Sequence, residues 1–222
     1  MALILNIETA TKNCSVSVAE NGKTITLKEL NDGSYSHAEK LHELIKQVVN
    51  EANISMSQLN AIAVSKGPGS YTGLRIGVSA AKGLCFALNI PLISVSTLNS
   101  LEKIIDFPDA YIIPLLDARR MEVYSAVFKN NSFVRDVQAE VIDENSFSDY
   151  LEKSNVYFLG DGAEKCKNII SHKNAIFIDN KFPSAKEMGL LSYEKHKKND
   201  TEDVAYFEPF YLKDFIVTKS KK

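Results

Sequence analysis

The feature that most constrains the fold is an order of predicted strands and helices that occurs twice along the chain. Three antiparallel strands are followed by helix, strand, helix and strand, and a similar order restarts after residues 106–109. Parallel strands need crossover connections, so alternating helices and strands favour an α/β architecture. The order therefore predicts an α/β chain made of two duplicated halves.

Apolar periodicity places the elements of both halves. In the first half, strands are expected at 3–7, 14–19, 24–30, 61–65 and 91–95, and helices at 36–53, 74–88 and 98–105. In the second half, strands are expected at 111–116, 122–129, 132–142, 156–159 and 175–178, and helices at 145–153, 163–169 and 184–197. Ser36 and Glu39 form a capping box at the start of the first helix. We take residues 1–105 and 106–222 as two domains. Whether the last helix packs back on the first domain is left open.

The predicted helix 74–88 is apolar around nearly its whole circumference, and Arg75 and Lys82 carry its only charges. A helix of this kind must be covered on every side. Its own sheet covers one side, and either the helix 36–53 or another protein covers the remainder. We expect a partner interface on these two helices, and its residues are Leu41, Leu44, Ile45, Val48, Leu74, Gly77, Ala80, Ala81 and Leu84.

A glycine-rich stretch at 67–73 joins a buried strand to this helix. It lacks the Gly-Lys-Ser/Thr ending of a P-loop, and Thr72 stands where the dinucleotide fingerprint requires its third glycine. Backbone N–H groups at such a helix start can hold an anion. The same glycines also suit a tight strand-to-helix turn. Both interpretations remain open at this point.

Two carboxylates end corresponding strands of the two halves, Glu8 in the first and Asp117 in the second. Because the halves are duplicated, we expect both side chains to face a central cleft. In a phosphoryl-transfer fold such residues hold a metal–nucleotide complex. Both are equally compatible with an ordinary role in turns.

Charge and cysteine content exclude several classes of protein. The chain has 26 basic and 28 acidic residues, so a strongly basic, sequence-independent nucleic-acid binder is not expected. Cys14, Cys85 and Cys166 are odd in number and far apart, which indicates a cytoplasmic protein without disulfides. No apolar run reaches the ~18 residues of a membrane span. The four histidines lack metal-binding spacing, and no activated nucleophile is visible, so neither a metal site nor catalytic residues are expected.

Several segments resemble the sequence signatures of one bacterial family. They include ILNIETAT at 4–11, GPGSYTGLRIG at 67–77, DARRMEVY at 117–124 and PFYLK at 209–213. The second segment matches the family's GPGSFTGLRIG almost letter for letter. The family is TsaB, also called YeaZ, which takes part in making N6-threonylcarbamoyladenosine in tRNAs that read ANN codons.

The resemblance implies an actin-like fold of two ribonuclease-H-like domains, as in sugar kinases and heat-shock ATPases. It also implies a catalytic paralogue, TsaD, whose metal is held by a histidine pair. By an ungapped alignment, Thr97 and Leu101 occupy those two positions here. Neither residue supplies an imidazole ligand. We therefore expect only a vestigial phosphate or nucleotide site, and its residues are Glu8, Thr9, Thr11, Asp117, Gly160 and Gly162.

The function implied by the resemblance is that of a non-catalytic subunit that dimerises with TsaD and supports its activity. An ATPase, TsaE, is the third protein of the complex, and tRNA is expected to contact the chain only through that complex. A homodimer in the absence of TsaD remains open. No cofactor is expected in the isolated chain, and ATP or ADP at the joint surface with TsaD is the open alternative. The competing hypotheses for the function are a glycoprotease-like peptidase and an actin-fold nucleotide hydrolase.

Overall fold

The computed structural model describes residues 1–31 and 37–213. Ser36 and its predicted capping box lie outside the described residues. The strands are β1 (Leu3–Glu8), β2 (Cys14–Glu20), β3 (Lys23–Leu30), β4 (Ala61–Gly67), β5 (Leu92–Ser96), β6 (Tyr111–Asp117), β7 (Glu122–Lys129), β8 (Ser132–Val141), β9 (Val156–Leu159) and β10 (Ala175–Ile178). The helices are α1 (His37–Glu51), α2 (Tyr71–Leu88), α3 (Thr97–Glu102), α4 (Ser148–Leu151), α5 (Ala163–Lys167) and α6 (Ala185–Lys197).

The strands form two five-stranded sheets with the same topology. The first has the order β3-β2-β1-β4-β5 and the second the order β10-β9-β6-β7-β8. In each, the central strand pairs antiparallel with a hairpin neighbour and parallel with the strand that follows the first helix. The predicted α/β duplication is therefore confirmed, and β6 is the counterpart of β1.

Alternation along β1 gives the first sheet two buried faces. Leu3, Leu5 and Ile7 pack against α1 and α2 on one face. Ile4 packs on the other face with Ala185 and Met188 of α6. The first sheet is thus covered on one side by helices of its own half and on the other by the last helix of the chain.

The second sheet is covered in a complementary way. One face packs against α4 and α5 of its own half through Leu151 and Cys166. The opposite face receives Leu98 and Leu101 of α3, which comes from the first half, and packs them around Phe128. Consequently α3 and α6 each cover the sheet of the other half.

Some element bounds differ from the sequence prediction. α2 begins at Tyr71 instead of residue 74, because the Ser70 hydroxyl caps the helix by accepting the Gly73 N–H at 3.3 Å. α4 has four residues where nine were expected, since Phe147 adopts a left-handed conformation just before it. Among residues 1–31 and 37–213, none of the helices combines the length and apolar content needed to cross a bilayer.

Candidate functional site

A cleft of about 740 Å³ lies between the two halves, where the strands of both sheets end. One wall is formed by residues 10–12 after β1 and 69–72 at the start of α2. The opposite wall is formed by residues 116–120 at the end of β6 and by residues 160, 161, 163 and 164 around the start of α5. The duplication thus brings the loops that follow β1 and β6 to opposite sides of one cavity.

Glu8 does not face this cleft. Its side chain is fully buried, and its Oε1 accepts hydrogen bonds from the Ala10 N–H and the Ser65 hydroxyl, both at 2.7 Å. Its Oε2 is buried without a hydrogen-bond partner in the described part of the chain. Burial raises the pKa of Glu8 to about 7, although these hydrogen bonds lower it. The carboxyl group therefore bonds to the loop after β1 and to β4, which corrects the expectation that it points into the cleft.

Thr9 is also absent from the cleft wall. It is completely buried. A Cβ atom added at Gly77 would lie only 2.2 Å from the Thr9 hydroxyl oxygen. A Cβ at Gly73 would meet the Thr9 carbonyl at 2.1 Å, and one at Gly69 would meet the Ala10 Cβ at 2.6 Å. These glycines serve close packing of α2 on the loop after β1, which favours the tight-turn interpretation.

Asp117 does line the cleft, and its carboxylate is occupied by Lys165 of α5. The Lys165 ammonium forms an ion pair with Asp117 Oδ1. It also donates to the carbonyl oxygens of Arg120 at 2.9 Å and Glu122 at 2.6 Å. Asp161 lies beside this group, and its Oδ1 accepts the Asp117 N–H at 3.0 Å. Burial raises the pKa of Asp161, while that hydrogen bond lowers it.

Thr11 and Gly160 line the cleft as expected, but Gly162 does not. Gly160 has a φ of +111°, and a Cβ there would lie 2.2 Å from the Leu115 carbonyl oxygen. Gly162 is buried and donates its N–H to the same oxygen at 3.0 Å. Both glycines therefore let the loop before α5 pack directly on β6. Close backbone packing explains their presence without a phosphate.

The residues of the cleft do not fit a metal–nucleotide complex. The first expected carboxylate, Glu8, is turned into its own loop, and the second, Asp117, is paired with an internal ammonium group. Within the described ranges, no group of three or more His, Cys, Asp or Glu side chains is arranged to hold a metal ion. Sequence reasoning missed Lys165, since it lies 48 residues from Asp117 and no local pattern joins the two.

A second concave surface lies between α1 and α2 on the outside of the first half. This groove of about 530 Å³ is lined by Ala38, His42, Arg75, Ile76, Ser79, Ala80, Gly83 and Leu84. One helical turn beyond it, the Phe86 side chain is 85% exposed. Among the described residues, none covers these apolar and small side chains on the outer side of α2.

The residues of the predicted partner interface fall into two sets, those that line this groove and those in the core. Ala80 and Leu84 line it, as expected. The other predicted residues are buried inside the chain, because they face the first sheet or the packing between the two helices, and they are Leu41, Leu44, Ile45, Val48, Leu74, Gly77 and Ala81. A partner cannot reach these side chains. Sequence reasoning missed Ser79 and Gly83, which line the groove, and the exposed Phe86 next to it.

The described chain ends in a segment that crosses the first half, which we call the C-terminal strap (residues 202–213). The ammonium group of Lys82 on α2 donates to the carbonyl oxygens of Ala205 and Phe207, both at 3.0 Å. Further along, the Phe210 N–H donates to the Lys66 carbonyl at 2.7 Å. These contacts hold the strap on α2 and on the end of β4.

The strap then reaches the cleft. The Tyr211 ring packs on the Tyr71 ring with centroids 4.8 Å apart. Lys213 forms an ion pair with Glu122 at the start of β7, and both residues line the cleft. The strap therefore connects α2 of the first half with the second sheet.

Comparison with known proteins identifies a family and relatives to which this chain is similar. A family model described as TsaD, tRNA N6-adenosine threonylcarbamoyltransferase, matches residues 31–221. The chain is 26% identical to the tRNA threonylcarbamoyladenosine biosynthesis protein TsaB of Haemophilus influenzae, with 97% of this chain and 95% of that protein covered. It is 36% identical to the tRNA N6-adenosine threonylcarbamoyltransferase of Staphylococcus saprophyticus over 127 residues, which cover 48% of this chain and 37% of that protein.

A solved structure shares the fold. The structure of YeaZ from Pseudomonas aeruginosa superposes on this chain with a TM-score of 0.77 and 22% sequence identity. The superposition covers 96% of this chain and 100% of that structure. The arrangement of two duplicated α/β halves, each with a five-stranded sheet, is accordingly a fold that this chain shares with that structure.

Proposed function

The chain belongs to the TsaD-like family, on its TsaB branch, and from this premise we propose that it is a non-catalytic subunit in the biosynthesis of threonylcarbamoyladenosine in tRNA. The observation that carries the proposal is the state of the two carboxylates that end β1 and β6. Glu8 accepts hydrogen bonds from the Ala10 N–H and the Ser65 hydroxyl, and Asp117 pairs with Lys165. Because both carboxylates already bond to groups of the chain itself, the ends of these strands support a non-catalytic role.

The partner in this proposal is a TsaD homologue, and it binds the groove between α1 and α2. Ile76, Ala80 and Leu84 give the groove an apolar lining, and Phe86 extends it. The small side chains at Ala80 and Gly83 allow a helix of the partner to come close. Two helix pairs from two related chains would then form a four-helix cluster with an apolar centre. An interface of this kind buries about 1,200–2,000 Å² in total.

The remaining assignments complete this proposal. A TsaE homologue, as the ATPase, is the third protein of the complex, and tRNA contacts the chain only through that complex. The isolated chain needs no cofactor, and a bound ATP or ADP would lie at the joint surface with TsaD. The same groove would support a homodimer in the absence of the partner. The chain acts in the cytoplasm, consistent with three buried, unpaired cysteines.

Size-exclusion chromatography with light scattering, with and without the TsaD homologue of the same organism, tests the proposal. Ala80 is half-buried in the groove, so Ala80→Arg should place a bulky charge against the partner helix and prevent co-elution. Overpacking of this kind costs about 1–3 kcal/mol. The matched control is Gln47→Arg, on an exposed position of α1 outside the groove lining. Ala81→Arg is unsuitable, because Ala81 is fully buried in the core.

Two outcomes would contradict the proposal. If Ala80→Arg keeps wild-type circular dichroism and still co-elutes with the TsaD homologue, the partner binds elsewhere. If the isolated wild type turns over ATP or a peptide, and Asp117→Ala abolishes that turnover, the chain is an enzyme. In cells, the binding-deficient variant should lack threonylcarbamoyladenosine in its tRNA.

A further inference from the structure

Lys165 of α5 lies behind the cleft wall and contacts Asp117, which lines the cleft. Its ammonium group has three N–H donors and contacts three oxygen atoms, one for each donor. These are the Asp117 carboxylate and the main-chain carbonyls of Arg120 and Glu122. The side chain is only 21% exposed. The ammonium is therefore held inside an oxygen-lined recess at the end of β6.

The oxygen set around Lys165 is one that a small cation would also accept. Mg²⁺ and Ca²⁺ bind carboxylate and carbonyl oxygens, and a second carboxylate, Asp161, lies beside Asp117. The recess lies at the carboxyl end of the central strand of the second half, where the fold predicts a metal ligand. In this chain the Lys165 ammonium group occupies the recess.

We infer that Lys165 supplies from within the chain the cation that Asp117 would otherwise take from a divalent metal. The inference does not depend on the proposed partner, since every contact it uses lies within one chain. It also assigns Lys165 a role in placing the turn between β6 and β7. Arg119 and Arg120 have φ values of +70° and +49° in that turn, and the two carbonyls bound by Lys165 are those of Arg120 and Glu122.

The inference predicts that removing the ammonium uncovers a metal site. Mn²⁺ alone is titrated into the isolated full chain, and unbound Mn²⁺ is counted by electron paramagnetic resonance. The wild type should show no saturable site in the cleft. Lys165→Ala should bind one Mn²⁺ at least ten times more tightly than the wild type does. The double variant Lys165→Ala with Asp117→Asn should lose that site again.

Lys167 provides a matched control on the same helix. It also pairs with a carboxylate that lines the cleft, Asp179, at 2.9 Å, but it binds no main-chain carbonyls in the described structure. Lys167→Ala should therefore behave like the wild type. Equal Mn²⁺ binding by the wild type and Lys165→Ala would overturn the inference, and so would a folded Lys165→Ala that binds none.

Chemical rescue covers the case in which Lys165→Ala does not fold. Methylammonium has three N–H donors and fits the vacated recess, whereas tetramethylammonium has none. Methylammonium should restore the circular dichroism or raise the melting temperature of Lys165→Ala, and should leave Lys167→Ala unchanged. Recovery with both amines, or with neither, would show that the recess is not specific for a donating cation and would overturn the inference.

Discussion

A buried carboxyl group at the end of β1 makes the stability of the folded chain depend on pH. Burial raises the pKa of Glu8 from 4.5 to about 7, so the folded chain holds this proton more tightly than the unfolded chain does. The contribution of the protonated Glu8 to the free energy of unfolding is complete below about pH 4.5 and is lost as the pH rises through about 7. At most, roughly 3 kcal/mol is at stake.

Glu8→Gln should remove this pH dependence, because the amide stays neutral while its oxygen can still accept the Ala10 N–H and the Ser65 hydroxyl. Urea denaturation at about pH 5 and pH 8 measures the change. The free energy of unfolding should fall more steeply with rising pH in the wild type than in the variant. Parallel pH profiles for the two proteins would contradict the assignment to Glu8.

Two glycines of α2 give the same substitution opposite effects. A Cβ at Gly77 would lie 2.2 Å from the buried Thr9 hydroxyl, whereas one at Gly83 meets no atom within 4 Å. Gly77→Ala should cost about 1–3 kcal/mol by overpacking. Gly83→Ala should stabilise the helix by about 0.5–1 kcal/mol, because alanine loses less backbone entropy. Thermal unfolding measures both effects. Equal changes in melting temperature for the two variants would show that the contact with Thr9 does not destabilise Gly77→Ala.

At the scale of elements, α2 combines three roles along one helix. Its inner side packs on the first sheet, its outer side forms the groove with α1, and Lys82 holds the C-terminal strap. This explains a helix that is apolar nearly all round and yet carries two charges. Arg75, the other charged residue, lies 4.7 Å from the Tyr71 ring centroid next to the strap.

Loss of the Lys82 ammonium should release the strap. Lys82→Ala leaves the carbonyl oxygens of Ala205 and Phe207 without this donor, while the core residues around it are unchanged. Chymotrypsin should then cleave after Tyr206, Phe207 or Phe210 several times faster than in the wild type. Lys40→Ala, which removes only an exposed pair with Glu43, serves as the control. Identical cleavage rates in all three proteins would argue against this role of Lys82.

At the scale of the whole molecule, the two halves are interleaved. α3 belongs to the first half and packs on the second sheet, and α6 returns from the end of the chain to the first sheet. Buried polar contacts orient α6, because the Ser192 hydroxyl donates to Asn6 Oδ1 and the Ser17 hydroxyl to the Ala185 carbonyl, both at 2.7 Å. The first sheet therefore acquires its second face only when the whole chain is present.

Met188 should report on this interleaving. It is fully buried between α6 and the first sheet, whereas Leu190 on the same helix is 53% exposed. Met188→Ala should lower the free energy of unfolding by about 2–5 kcal/mol, and Leu190→Ala by no more than about 0.5 kcal/mol. Denaturation followed by signals from both halves should show one shared transition. Two separate transitions in the wild type would contradict the interdependence of the halves.

The sequence by itself determined the elements and their duplication, because apolar periodicity is a local property of each segment. The duplication predicted that Asp117 faces a cleft, because the ends of corresponding strands meet in such a fold. Thr11 and Gly160, which the family resemblance pointed to, line the same cleft. Of the residues that the sequence assigned to a partner interface, Ala80 and Leu84 line the groove between α1 and α2, and the interface itself stays a prediction.

Only the tertiary structure decided which way each side chain of those segments points and what it meets. An apolar residue on a helix covered from several sides has no sequence signal that separates core from groove, so Leu41 and Ala81 could not be told from Ala80. Glu8 turned into its own loop because the Ala10 N–H and the Ser65 hydroxyl were within reach. Lys165 reached Asp117 across 48 residues because the packing of α5 on β6 places a long, flexible cation beside a carboxylate. Such pairings depend on distances between remote segments, which the order of residues alone does not contain.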